Sequence, residues 1–190
     1  MDSPNLGLPL STDVLARREH LPRKPAPVML TGSLVRLAPL ELDRDVVGLH
    51  AITNGQPAAL GSRSIGAYDA DALVWRYLFA GPFAQAVDLA TWLHEQVDAP
   101  NGLCLCVFDL ATRQQVGVTN FMNNVPEHLK VELGGIWYSP LAQRTGANTE
   151  ATYLMLRYAF GLGYRRVEWK CDAPVSYTHL QAHETGRNLV

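Results

Sequence analysis

Apolar residues fall at helical spacing in three stretches of the chain, and short apolar or alternating runs fill five others; the two periods divide it between helices and strands. Val46, Leu49 and Ile52 follow Asp43, a helix-capping residue type, and Asn54 and Gly55 close that helix. Pro82 to Val97 carries Ala86, Leu89, Leu93 and Val97 on one stripe, with Gln85, Asp88 and Glu95 off it. Asn148 to Leu162 is expected to bury Ala151, Leu154, Met155, Tyr158 and Leu162, with Gly161 and Gly163 ending it. Strands are expected at Leu34 to Leu37, ended by Pro39, and at Leu103 to Asp109, which forms a hairpin with Gln115 to Met122. Another begins at Lys130. The last, Arg166 to Asp172, alternates Val167, Trp169 and Cys171 with charged neighbours. A strand, helix, strand series of this length sets its two strands parallel through a right-handed crossover.

The pattern fails at both ends. Residues 1–27 hold Pro4, Pro9, Pro22, Pro25 and Pro27 without apolar periodicity, which predicts an extended, poorly ordered leader. It would serve as a plain tail or as an arm docking on a second subunit of a homodimer. After Ala173 the text PVSYTHLQAHETGRNLV has neither period, so the domain is expected to be interrupted at about Ala173 and residues 174–190 read as a non-native tail. His179 and His183 are four apart there, but no Glu follows His179, and no metal site is expected.

Composition narrows the class. The 190 residues suit one domain, and 47% hydrophobic with 18% charged residues describe a globular chain. A net charge of -2 argues against nucleic acid as a partner. No run approaches membrane-spanning length, and the start lacks a signal-peptide pattern, so a cytoplasmic location is expected. Cys104, Cys106 and Cys171 then read as reduced thiols. Cys104 and Cys106 share one strand face, but without a second ligand pair they are better read as small buried hydrophobes.

The candidate chemistry lies between Lys130 and Asp172. Gln143 to Asn148 (QRTGAN) stands where a strand gives way to a helix, a place where several backbone N–H groups and the helix dipole face one anion. Gly146 lets that anion approach the backbone. Upstream, Gly134 and Gly135 inside a strand mark a bulge or a close backbone approach.

The run VELGGIWYSPLAQRTGANTEA resembles the acetyl-CoA-binding core of the GNAT acyltransferases, whose pyrophosphate loop reads Q/R-x-x-G-x-G/A; Gln143, Gly146 and Asn148 take its three positions. It is most similar to the RimJ/RimL-like branch, and the resemblance extends from about Val28 to Ala173. It implies an α/β fold of the GNAT type: a mixed, mostly antiparallel sheet flanked by helices, here with the C-terminal helix and closing strand missing. Acetyl transfer from acetyl-CoA to a primary amine, without a metal, is the implied activity.

The implied cofactor contacts are Gln143, Arg144, Thr145, Gly146, Ala147 and Asn148 for the phosphates. Ile136, Trp137 and Tyr138 would receive the pantetheine arm. Glu132, two residues before the glycine pair, is the implied catalytic base; the alternative is a carboxylate paired with Lys130 or Arg166. A free amide at the bulge would face the thioester carbonyl. Trp75, Tyr77 and Phe79 would either line the acceptor cleft or belong to the core. His94 is read as a structural or solvated helix histidine. A chain that binds acyl-CoA without turnover, or one inactive because it is incomplete, is the alternative to the enzyme.

Overall fold

A computed structural model describes residues 9 and 11–170. Six strands form one sheet: β1 (Leu30–Thr31), β2 (Val35–Pro39), β5 (Leu103–Asp109), β6 (Gln115–Val125), β7 (Lys130–Tyr138) and β8 (Arg166–Glu168), in that spatial order. A separate hairpin, β3 (Ala58–Leu60) with β4 (Arg63–Ile65), lies outside that sheet. All neighbours in the main sheet are antiparallel except β7 and β8, which run parallel across α4 (Gly146–Leu162), as the strand, helix, strand pattern requires.

Strand alternation builds two cores. Leu103, Leu105 and Val107 of β5 face α4 together with Ala147, Ala151, Leu154, Met155 and Ala159. Cys104, Cys106 and Phe108 face the other way, towards α2 (Leu42–Ala51) and α3 (Ala86–Val97), whose Leu49, Leu89 and Leu93 are fully buried. Both cysteines are unpaired thiols. Burial pushes Cys104 up to about 12 and raises Cys106 well above its ordinary value.

Several boundaries move, each for a local reason. α2 is capped by Glu41, not Asp43, because the buried Asp45 carboxylate accepts from the Glu41 amide at 3.0 Å and starts the helix earlier. α3 begins at Ala86, four residues after Pro82. α4 begins at Gly146, since Thr145 caps it; Leu162 is exposed and Ala159 takes the expected buried place.

The expected leader also differs over its described part. Thr12–Ala16 forms a short helix, α1, and Leu21 is buried in the α4-side core. Asn124 donates to the carbonyls of Pro22 and Arg23, both at 2.8 Å, while accepting from the Tyr164 hydroxyl at 2.8 Å. Prolines suppress a helical pattern, yet they leave carbonyls free, and these are what Asn124 holds. The expected tail, with Cys171, lies outside the described residues.

Candidate active site

β7 is irregular at its glycine pair. Val118 pairs with Trp137 but Asn120 pairs with Gly134, so β7 spends one extra residue there. Gly135 adopts φ +55°, and a Cβ on it would lie 2.6 Å from Asn120 Nδ2, so only glycine fits. Asn120 is buried and donates to the carbonyls of Gly134 (3.4 Å) and Gly135 (3.2 Å) and to Gln96 Oε1 (3.2 Å).

Beyond the bulge β7 keeps β6 on one side only, because pairing with β8 ends at Glu132 opposite Glu168. The Ser139 amide donates back to Val116 at 2.9 Å. Backbone groups of a strand alternate, so those of Ile136 and Tyr138 face the other way, into the gap where β8 has left β7. Ile136 is half-buried; Trp137 and Tyr138 are buried side chains, on opposite faces of the sheet. Of the expected pantetheine contacts, therefore, these three offer backbone and not side-chain polar groups. The Trp137 indole N–H and Tyr138 hydroxyl have no hydrogen-bond partner among the described residues, and burial raises the Tyr138 pKa.

Five residues beyond Tyr138, the QRTGAN turn (Gln143 to Asn148) opens α4. Thr145 Oγ1 accepts from the Ala147 amide at 3.2 Å and donates to the Ala142 carbonyl at 2.7 Å. The amides of Gly146 and Asn148 have no acceptor among the described residues. These groups stand at the positive end of a 17-residue helix, where an anion is expected from the sequence. A Cβ on Gly146 would come 2.6 Å from Leu34 Cδ1, which gives this glycine a packing role as well. Arg144 is exposed, at φ +56°. The Gln143 side chain is committed to the fold: its Nε2 donates to Leu73 O (2.6 Å) and Tyr138 O (3.0 Å), tying the turn to the segment before α3.

Glu132 lies beside the bulge with its side chain only 7% exposed. It accepts from Asn123 Nδ2 at 2.9 Å and forms an ion pair with Lys170. Lys130 and Arg166, the expected partners, instead hold Glu168. Trp75 is core: 2% exposed, it donates to Thr53 O at 2.9 Å and packs on Phe83, Trp92 and Trp137. Tyr77 and Phe79 are exposed on the same segment. His94 points to solvent beside Asp98.

A bulged central strand, a parallel neighbour that diverges from it and a glycine turn opening the crossover helix together make a specific architecture. The model of the acetyltransferase (GNAT) domain matches residues 56–174. The chain belongs to the GNAT acetyltransferase family.

Solved GNAT structures share its fold. A GCN5-related N-acetyltransferase from Brucella melitensis is 29% identical, with TM-score 0.72 over 87% of this chain and 69% of that one. A protein from Chromobacterium violaceum described as one of the "probable acetyltransferases (GNAT family)" is also 29% identical, with TM-score 0.71 over 86% and 75%. The spermidine N-acetyltransferase from Vibrio cholerae, solved with CoA and spermine, is 17% identical with TM-score 0.59 over 82% and 81%, a likeness of fold alone. No curated protein matches the sequence. Among the described residues no group of His, Cys, Asp and Glu could hold a metal ion, and no helix is long and apolar enough to cross a membrane.

Sequence reasoning missed four residues that make the contacts holding the bulge, Glu132 and α4 in place: Gln96, Asn120, Glu150 and Lys170. Asn120 and Gln96 stand 24 positions apart and meet only once α3 packs on the sheet. Glu150 accepts from the amides of Ser33, Leu34 and Val35 at 2.8, 2.7 and 2.8 Å, a contact across more than 110 positions. Only the paired glycines, with their demand for a partner opposite, hinted at Asn120.

Proposed function

We propose that this chain moves the acetyl group of acetyl-CoA to a primary amine, a protein N-terminus or a small amine, as in the RimJ/RimL-like branch. What carries the reading is one strand-turn-helix connection. The outward backbone groups of Ile136 and the outward amide of Tyr138, whose carbonyl is held by Gln143, stand at its start, and the amides of Gly146 and Asn148, without an acceptor among the described residues, stand at its end. The first suits an extended amide-bearing arm added as a strand, the second a diphosphate. Arg144, exposed at the same mouth, supplies a positive charge for the phosphates.

In this reading the amine nitrogen attacks the thioester carbonyl and Glu132 takes the ammonium proton, directly or through water. An outward amide past the bulge holds the developing oxyanion. The C–S bond then breaks, and the coenzyme thiolate leaves with the extra proton still carried by the attacking nitrogen, giving the amide and the free thiol. The Lys170 ion pair supports a second reading, in which Glu132 is structural and the chain is a non-catalytic acyl-CoA-binding module.

Acetyl-CoA at 100 times its dissociation constant should stabilise the protein by about 2.7 kcal/mol in a thermal-shift assay, while ATP at equal concentration should not. With an amine panel, free thiol should accumulate. Equal stabilisation by ATP defeats both readings; binding of acetyl-CoA without thiol release leaves the binding module.

A further inference from the structure

The peptide joining Gly135 to Ile136 is gripped from one side. Its carbonyl accepts from Asn120 Nδ2 at 3.2 Å, and the neighbouring carbonyl of Gly134 accepts from the same nitrogen at 3.4 Å. A trans peptide unit is planar, with C=O and N–H in opposite directions. Holding the Gly135 oxygen on the β6 side therefore turns the Ile136 N–H away from β6, into the gap beside β8. Strand alternation counted back from the Ser139 amide gives the same direction independently. At φ +55° Gly135 has no side chain to fix this plane, so the grip must come from outside.

Asn120 is itself fixed. Two carbonyls need a donor, so its nitrogen, not its oxygen, faces them. The Gln96 oxygen then takes the same NH2 group at 3.2 Å. Asn120 is 5% exposed, on the α3 face of the sheet, and the gap lies on the other side of β7. Its side chain is spent on Gln96 and the two bulge carbonyls, so its effect on the gap runs through the peptide plane.

We propose that Asn120 is a positioning residue: by holding the bulge carbonyls it aims the Ile136 amide at the acyl carbonyl of the bound thioester, with Gln96 locking the Asn120 amide in place. This rests on the reading of the gap as the acetyl-CoA site. Coenzyme A without the acyl group lacks the thioester carbonyl, while its pantetheine arm keeps the Ile136 carbonyl and the Tyr138 amide to pair with, so the residue matters to acetyl transfer and not to coenzyme affinity.

The decisive comparison is Asn120→Asp, which keeps the shape but replaces the donor with an oxygen, alongside Gln96→Ala on the half-buried helix face. Turnover of acetyl-CoA should fall about 100-fold in Asn120→Asp, and less in Gln96→Ala, as expected for a misplaced catalytic group. The dissociation constant for CoA, measured by calorimetry, should stay within about twofold in both. In amide NMR, the Ile136 resonance of the unmodified protein should move further with acetyl-CoA than with CoA, and that difference should vanish in the variants. Equal loss of CoA affinity and turnover, or unchanged turnover, overturns the proposal. Should Asn120→Asp fail to fold, Gln96→Ala decides alone by the same two measurements. If the unmodified protein binds neither CoA nor acetyl-CoA, the functional reading fails and this inference falls with it; if it binds both and the Ile136 resonance responds identically, only the inference falls.

Discussion

Gly146 shows how one residue can answer to two demands. Open backbone at the mouth of α4 favours a bound diphosphate, but Leu34 occupies the place where a Cβ would go. Leu34 is half exposed, so its end can swing aside and Gly146→Ala should fold. Calorimetry should show weaker CoA binding in Gly146→Ala. Adding Leu34→Ala should restore any lost thermal stability without restoring affinity; recovered affinity would mean that the glycine serves Leu34 alone. Glu132→Gln divides the two functional readings in the same spirit: as the base, its loss should lower turnover about 10²–10⁴-fold while CoA affinity holds. These two positions were legible in the sequence, because a glycine in a turn and a carboxylate beside a glycine pair carry local signals. Their neighbours were not. Lys170 is 38 positions from Glu132, and nothing along the chain favours it over Lys130 or Arg166.

Between elements, the notable joint is the one from α4 to the turn joining β1 and β2. Burial pushes the Glu150 carboxyl up, but the amides of Ser33, Leu34 and Val35 outweigh that and hold it below the usual glutamate value. A lowered folded pKa means stability that is present above the unfolded glutamate pKa and is lost as pH falls through the folded one. Glu150→Gln should therefore cost about 2 kcal/mol at pH 7, the scale of hydrogen bonds to a charged group. The gap should begin to close near the unfolded glutamate value of about 4.3 and vanish only once pH has fallen through the lower folded one. Urea unfolding at pH 7, 5 and 3 measures it, and a gap independent of pH would show that the carboxylate charge is not what the turn requires. Helices and strands themselves were readable from periodicity, to within a few residues at their ends. What periodicity cannot carry is a link such as this one, made by a single side chain between distant segments. The segment Thr12 to Pro27 failed for a related reason: its anchors are Leu21 and two carbonyls, and neither recurs with any period.

Across the molecule, the sheet keeps its two cores apart; the period of Lys130 to Asp172 gave its parallel pair and that of Leu103 to Met122 its antiparallel hairpin, while the GNAT layout as a whole was legible through the resemblance. The path of the chain between α2 and α3, including the hairpin Ala58–Leu60 with Arg63–Ile65 and the wide turn Asp71–Trp75, was not, since short polar text leaves its pairing to tertiary contacts. The pair Cys104 and Cys106 has a use of its own. Both sulfurs sit in the middle of the sheet, shut off from solvent and held protonated, so a thiol reagent can reach them only while β5 is uncovered. In a Cys171→Ser background the rate at which Ellman's reagent consumes two thiols should match the rate of global opening, and saturating acetyl-CoA should slow it in proportion to the ligand's stabilisation. The centre of the sheet thus carries a built-in clock for how often the whole molecule comes apart.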